Sequence, residues 1–188
     1  MALKLITAAT VLAVDLVSAK AHLRVDVSDD DTLITAMITA ATEAAEQMTG
    51  RALMAQTWEL TLDAFPSALE LTRVPVQSIT SVTYADSTGA STVLAAPLYA
   101  LDNADEFGFA YVVPVYAGVW PETRDEINAI KVRYVAGYAD AASVPESIKS
   151  WIKLQVGAMY ENRESEAVGQ VQKMGFVDAL LARYKVYA

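Results

Sequence analysis

The residue types that most often carry out chemistry are scarce in this sequence. It contains no cysteine and a single histidine, His22, which excludes thiolate metal sites and cysteine nucleophiles. A Ser-His-Asp triad needs a histidine placed by a carboxylate, and zinc sites usually take two or more nitrogen or sulfur ligands. His22 lies in a stretch typical of a short helix. We therefore interpret it as a capping or packing residue.

Three acidic groups remain as candidates for metal binding or catalysis. Asp29–Asp31 lacks the alternating spacing and the later glutamate of an EF-hand loop, so helix capping is the better interpretation. Asp102, Asp105 and Glu106 indicate a solvated loop, and the cluster at 161–166 indicates exposed polar surface. No glycine-rich phosphate loop occurs. We predict no catalytic, cofactor or metal residues, although carboxylate-only catalysis stays formally open.

The charge of the chain argues against nucleic-acid recognition. The net charge is −9, and residues 1–50 and 51–142 are acidic whereas residues 143–188 are slightly basic. An acidic body does not attract phosphates, so sequence-specific DNA binding is not expected. Duplex DNA would slide past such a surface without adhering, although simple solubility explains the charge equally well. The absence of cysteine suits synthesis in a reducing cytoplasm.

The N-terminus resembles a secretory signal at first sight. Lys4, the apolar run 5–14 and Ala19-Lys20-Ala21 imitate its three regions. However, Thr10 and Asp15 interrupt the run, and helical character continues past the supposed cleavage point. No stretch approaches the roughly 20 apolar residues that span a bilayer. We therefore expect no membrane association and keep secretion as a minor alternative.

A long amphipathic helix is predicted to follow this region. Ser28–Asp31 can cap its first turn and complement its dipole, and Gly50 is placed to end it. Its apolar residues recur at spacings of three and four, which gives one stripe. The stripe is Leu33, Ile34, Met37, Ile38, Ala41, Ala45 and Met48.

From Gln56 the apolar period changes to two, which indicates strands. Trp58, Leu60 and Leu62 form the apolar face of the first. Asp86-Ser87-Thr88-Gly89 is typical of a hairpin turn. Further strands are predicted at Leu69–Leu71, Ile79–Tyr84, Ser91–Leu94, Leu98–Leu101, Tyr111–Val113 and Ile130–Tyr134.

Helical spacing returns near the C-terminus. Ser143-Val144-Pro145-Glu146 has the pattern of a capping box at the start of a second helix. A short helical stretch is predicted from Phe176. The fold class is therefore α+β, with flanking helices packed together, an inserted antiparallel sheet region and a C-terminal helical or extended tail. The single predicted domain comprises helical segments 1–52 and 143–163, a β-insertion at 53–140 and a tail at 164–188.

Aromatic side chains suggest contacts with other proteins. Tyr184, Val186 and Tyr187 make an apolar tail that has little reason to lie in solvent, so we predict that they dock on a partner. Tyrosine and tryptophan bring contact area at low entropic cost. A group in the insertion could serve the core or an interface. Its members are Tyr111, Tyr116, Trp120, Tyr134 and Tyr138.

Four short stretches occur in a fixed order and cover most of the chain up to Arg163. They are Val17–Val25; Asp29–Gly50 with its exit Thr49-Gly50-Arg51-Ala52-Leu53; Gln56–Leu60; and Val135–Tyr138 followed by Val144-Pro145 and Tyr160–Arg163. Together they resemble the head–tail connector, or adaptor, proteins of tailed phages and gene transfer agents.

This resemblance implies a structural role in a virion neck. Such proteins form a ring, usually dodecameric, which sits under the portal protein, extends the DNA channel and meets a stopper or tail-terminator protein. They catalyse nothing. The resemblance also implies heterologous contacts between copies and a terminal segment that inserts into the portal. The last 25 residues match no motif of the family, so it is our own inference that Tyr184, Val186 and Tyr187 form this segment and that it orders only on docking. Duplex DNA would pass through without sequence-specific binding.

Two other functions stay open. A different neck or tail ring, such as a stopper or tail terminator, would share this composition and symmetry. A secreted binding module or a small carboxylate-dependent hydrolase would agree with the signal-like N-terminus.

Overall fold

The computed structural model describes residues 1–162 and 176–186. Its architecture is α+β, as predicted. The helices are α1 (Leu16–Leu23), α2 (Asp31–Thr49), α3 (Glu146–Glu161) and α4 (Phe176–Ala182). The strands are β1 (Ala2–Thr7), β2 (Gln56–Leu62), β3 (Leu69–Leu71), β4 (Val76–Ala85), β5 (Ser91–Leu94), β6 (Tyr99–Asp102), β7 (Ala110–Pro114) and β8 (Ile130–Ala136).

The helices form one layer around a shared core. Ile34 and Ile38 of α2 and Ile148 and Ile152 of α3 are all fully buried in it. Leu181 of α4 joins the same core, so the C-terminal helix packs against the flanking helices. The predicted packing of the two flanking helices is therefore confirmed.

The strands form two antiparallel sheets rather than the single one predicted. One has the order β1-β2-β8-β4-β5 and the other the order β3-β7-β6. Their apolar faces share a second core, centred on Leu60, Val132 and Val112. The strands from β2 to β8 lie within the predicted insertion, and the predicted hairpin is formed by β4 and β5.

The prediction that residues 1–52 are helical is wrong at its start. Ala2–Thr7 forms β1, which pairs antiparallel with β2 along the edge of the larger sheet. Only Leu3 is half-buried, and its neighbours in the strand are exposed. Backbone pairing with β2 fixes the conformation of this short apolar segment, and such pairing cannot be read from local spacing.

Both predicted N-terminal caps are replaced by other contacts. Asp30 precedes α2 without a side-chain capping bond, and its carboxylate accepts a hydrogen bond from the Tyr160 hydroxyl of α3 at 2.6 Å. Pro145, rather than Ser143, precedes α3, and the Glu146 carboxylate pairs with Lys149. Asp30 therefore links α2 to α3 instead of capping α2, whereas Asp31 lies in the first turn, where its charge complements the helix dipole as predicted. At the other end of α2, Gly50 takes a left-handed conformation, as predicted.

The predicted stripe of α2 is too wide. Leu33 and Met48 are exposed, whereas Thr49, which the pattern omitted, is fully buried. The buried face contains Ile34 and Ile38 as expected, because these point at α3. Spacing identified the helix, and its packing partners decided which side is covered.

Candidate assembly surfaces

The C-terminal segment, defined as Arg183–Val186, lies on the exit of α2. The Val186 N–H donates a hydrogen bond to the Thr49 carbonyl at 2.8 Å. The Val186 side chain contacts the second core, and Tyr184 contacts the core of the helical layer. The segment therefore bridges the helices and the sheets.

A buried arginine fixes the position of this segment. Arg51 is only 1% exposed. Its Nε donates to the Tyr184 carbonyl and its Nη2 donates to the Glu106 carbonyl, both at 2.8 Å. Glu106 belongs to the β6–β7 loop, defined as residues 103–109, so one guanidinium joins the loop to the C-terminal segment.

Aromatic and cationic side chains also connect the β6–β7 loop to the C-terminal segment. The Phe107 ring lies 6.1 Å from the Tyr184 ring, centre to centre, in a tilted arrangement. The Arg183 guanidinium carbon lies 4.6 Å from the centre of the same Phe107 ring, a distance suited to cation–π attraction. Loop and segment therefore touch through side chains as well as through Arg51.

A cavity of about 200 Å³ adjoins Arg51 between the loop and Tyr138. Burial raises the pKa of the Tyr138 phenol, an effect that the Arg51 charge opposes. In the loop, the Asp105 carboxylate accepts hydrogen bonds from the Phe107 and Gly108 amides, both at 2.9 Å. These bonds, helped by the charge of Arg51, lower the pKa of Asp105. An ionised acid therefore shapes the loop.

A second buried carboxyl, Glu46, supports the α2 exit. Its Oε1 accepts hydrogen bonds from the Leu53 amide and the Gln56 side chain, both at 2.7 Å. Burial raises the pKa of Glu46, and these two bonds oppose the rise. Glu46 thus links the end of α2 to the start of β2.

The structure places the predicted docking residues partly inside the fold. Tyr184 and Val186 are half-buried against their own chain, and Tyr187 lies outside the described residues. The expectation that the tail orders only on docking is wrong for α4 and the C-terminal segment, because Leu181 and Arg51 already hold them. Docking on a portal itself stays a prediction.

A second surface is apolar and uncovered. The tip of the β7–β8 connection, defined as residues 115–119, turns through a hydrogen bond from the Gly118 amide to the Val115 carbonyl at 2.7 Å. Tyr116 is fully exposed and Val119 is 87% exposed. Leu98 lies beside the tip and is also exposed. Of the three side chains, Tyr116 is the most exposed and Leu98, at 51%, the least.

The other insertion aromatics divide between core and surface. Tyr134 is fully buried in the second core, and burial raises its pKa to about 12. Trp120 stacks on Phe65 with ring centres 4.6 Å apart. Tyr111 and Tyr138 are half-buried. Of the five aromatics singled out in the sequence, Tyr116 is the one that projects into solvent.

Within the part of the chain that the structure describes, the candidates for chemistry do not form a site. His22 is exposed on α1, and Asp102, Asp105 and Glu106 are exposed in the β6–β7 loop region. Residues 163–166 of the acidic cluster lie outside the described residues. Within residues 1–162 and 176–186, no group of three or more histidine or acidic residues is placed to hold a metal ion. No helix of these ranges has the length and apolarity to span a membrane.

Comparison with known proteins gives a family match over part of the chain. Residues 14–89 match the family described as phage gp6-like head-tail connector protein. The resemblance seen in the sequence is thereby confirmed. The predicted class of function, a structural head–tail connector, is the one that this description names. No curated protein matches the chain significantly.

Solved structures share this fold over the whole chain. One lies in the virion of a native gene transfer agent particle, with 24% identity and a TM-score of 0.82. Two others lie in the neck of an empty particle computed with C6 symmetry (24%, 0.83) and the neck of a native particle computed with C12 symmetry (23%, 0.75). Each alignment covers 100% of this chain and 97% of the other.

Local sequence pattern did not indicate two residues of the contact between the C-terminal segment and the β6–β7 loop, Arg51 and Phe107. Arg51 appeared only as part of the Thr49–Leu53 stretch, and Phe107 was not singled out. Their partners lie far away along the chain, so no local pattern indicates them. The one available signal was the position of Arg51 between a helix-ending glycine and three apolar residues, since apolar residues are those most often buried.

Proposed function

We propose that the protein is a head–tail connector subunit, a structural component of a virion neck that forms a ring under the portal, extends the DNA channel and joins head to tail. The family match over residues 14–89 is the observation that carries this proposal. Likeness over the full chain to proteins in gene transfer agent particles supports it.

The proposed assembly is a cyclic ring of identical subunits, with a dodecamer as the expected size. The C12 symmetry of one related neck agrees with this number. In a cyclic ring each subunit presents two different faces to its neighbours, and the rotation between copies must close.

The two apolar surfaces suit two different partners. The C-terminal segment, which includes Tyr184 and Val186, is proposed to dock on the portal protein together with Tyr187. The 115–119 tip, which carries Tyr116, is proposed to meet the stopper or tail-terminator protein, since exposed aromatic residues are favoured at protein contacts. The net charge of −9 allows duplex DNA to pass without specific binding.

The proposed role is mechanical and involves no making or breaking of covalent bonds. The subunit would be synthesised in the host bacterial cytoplasm and act in the particle neck. No cofactor or metal is needed for this role.

The portal assignment is tested with a variant that preserves backbone contacts. In Tyr184→Ser/Val186→Ser/Tyr187→Ser, the Tyr184 carbonyl and the Val186 amide remain available to Arg51 and Thr49. We expect this variant to fold and yet fail to co-sediment with purified portal complexes.

The matched control is Val93→Ser/Ile127→Ser, which replaces two exposed apolar residues of the insertion. It should co-sediment as the unmodified protein does. Normal portal attachment of the triple variant would refute the tail assignment. Electron microscopy of the unmodified protein with portal should display a ring, and a persistent monomer in that mixture would contradict the connector function.

A further inference from the structure

Arg51 holds two segments that belong to different parts of the fold. Its Nε reaches the Tyr184 carbonyl of the C-terminal segment and its Nη2 reaches the Glu106 carbonyl of the β6–β7 loop. The donors of a guanidinium have fixed relative directions. A shift of one acceptor therefore disturbs the geometry of the bond to the other.

The burial of Arg51 increases the free-energy cost of losing either of its two carbonyl acceptors. The side chain is 1% exposed, so an N–H that loses its carbonyl stays buried, with the adjoining cavity as its source of water, and such a loss costs free energy. Within the described residues, no carboxylate forms an ion pair with Arg51; carbonyl oxygens and the nearby Asp105 charge compensate its own. A buried cation held in this way is destabilised when either carbonyl leaves.

Side-chain contacts near Arg51 also connect the β6–β7 loop to the C-terminal segment. Phe107 of the loop touches both Arg183 and Tyr184 of the C-terminal segment. Removal of the segment thus withdraws one Arg51 acceptor and uncovers the loop's aromatic side chain together.

We propose that Arg51 couples the C-terminal segment to the β6–β7 loop, so that a partner that draws the segment away also releases the loop. The inference goes beyond the proposed function, because it assigns a communication route between a tail that is proposed to dock and a loop of the insertion. Arg51 acts in it as a positioning residue, through the two carbonyl oxygens that it binds.

Hydrogen exchange in the free subunit tests this coupling without any partner. The Phe107 and Gly108 amides donate to Asp105 and report on the loop. Deletion of residues 184–188 should raise their exchange rates about tenfold, because Arg51 then loses an acceptor. Arg51→Met should raise the exchange rates of these two amides by a similar factor. Deletion of residues 184–188 in the Arg51→Met variant should then raise them little further.

A matched reporter and a matched variant serve as controls. The Thr88 and Ala90 amides donate to Asp86 in the β4–β5 turn, an equivalent arrangement remote from Arg51, and their exchange should not change. Arg133→Met removes an exposed arginine paired with Glu59 and should leave the Phe107 and Gly108 amides protected.

The coupling is overturned if the deletion leaves the two loop amides unchanged, or if deletion and Arg51→Met multiply their effects independently. If Arg51→Met does not fold, Arg51→Lys takes its place, because lysine keeps the charge but lacks the planar guanidinium. The deletion should then still raise the exchange of the two loop amides, but by less than in the unmodified protein. An equally large rise in the Arg51→Lys background would contradict the role of the guanidinium. Failure to bind portal would count against the proposed function alone, since these measurements use the isolated subunit.

Discussion

The C-terminal segment and the 115–119 tip have similar side chains and opposite surroundings. In the segment, Tyr184 and Val186 are half-buried, and Arg51 and Thr49 bind their backbone. In the tip, Tyr116 is fully exposed and Val119 is 87% exposed. Both regions are apolar and aromatic, and both follow well-defined secondary structure.

Apolar residues outside regular secondary structure can serve the protein's own core or a partner. The apolar side chains of the C-terminal segment partly serve the core, because they fill the space between the helical layer and the sheets. The exposed side chains of the 115–119 tip do not fill such a space, and an exposed apolar cluster is a sign of an interaction site. The tip is therefore the surface that is free for a partner in the isolated subunit, whereas the segment must give up contacts to bind one.

The largest expected effect concerns the anchor of the segment. Leu181→Ala removes a fully buried side chain and should lower the free energy of unfolding by about 2–5 kcal/mol. Val119→Ala at the tip should change it by less than about 0.5 kcal/mol. Urea unfolding of both variants measures the difference. Equal stabilities would contradict the claim that the C-terminal segment is anchored in the core and the tip is not.

The next effect concerns assembly. Tyr116→Ser/Val119→Ser should leave stability within about 0.5 kcal/mol but cost about 2 kcal/mol or more in binding of the tail-side partner, as expected for an aromatic hot spot. Calorimetric titration with the candidate stopper or tail-terminator protein measures it. Val93→Ser, at another exposed position, is the control. An unchanged affinity in the double variant would remove the tip from the interface.

A smaller effect is expected within the segment itself. The Tyr184 and Phe107 rings should have a coupling energy of about 0.5–1.5 kcal/mol in a double-mutant cycle of alanine variants. The same cycle on Tyr116 and Phe107 should give no coupling, because Tyr116 is fully exposed. Equal coupling in both cycles would show that the segment is not specifically seated on the loop.

The smallest effect is a pH dependence at the base of the segment. Burial raises the pKa of Glu46, so the folded state binds its proton more readily than the unfolded state. The contribution of Glu46 to stability is therefore greatest at low pH and falls as pH rises through the raised pKa. Relative to the unmodified protein, Glu46→Gln should gain stability as the pH rises above 4.5, the ordinary pKa of a glutamate.

Unfolding of this variant across that pH range measures the gain. Glu122→Gln, at an exposed loop position, should not produce it. A stability difference that stays constant with pH would contradict the role of burial at Glu46.

Much of the fold followed from local pattern. The three-and-four spacing of α2, its end at Gly50 and the alternation along β2 each reflect one buried face of a regular element, which a short stretch of sequence specifies by itself. The family resemblance rests on the same local features in order. The scarcity of reactive residues likewise follows from composition alone.

The candidate surfaces were only partly predictable. The sequence pointed to Tyr184 and Val186 as apolar and to Tyr116 as an aromatic of the insertion. It could not distinguish a half-buried tail from an exposed tip, since exposure depends on what other segments cover.

The sequence by itself determined the element types, the α+β class and the resemblance to head–tail connectors, because these depend on neighbours within a few residues. Only the tertiary structure decided that Ala2–Thr7 is an edge strand, that Asp30 binds Tyr160 instead of capping α2, and that Arg51 joins the C-terminal segment to the β6–β7 loop. The physical reason is common to all three. A backbone edge, a carboxylate and a guanidinium each need a partner, and in this protein every such partner lies far away along the chain.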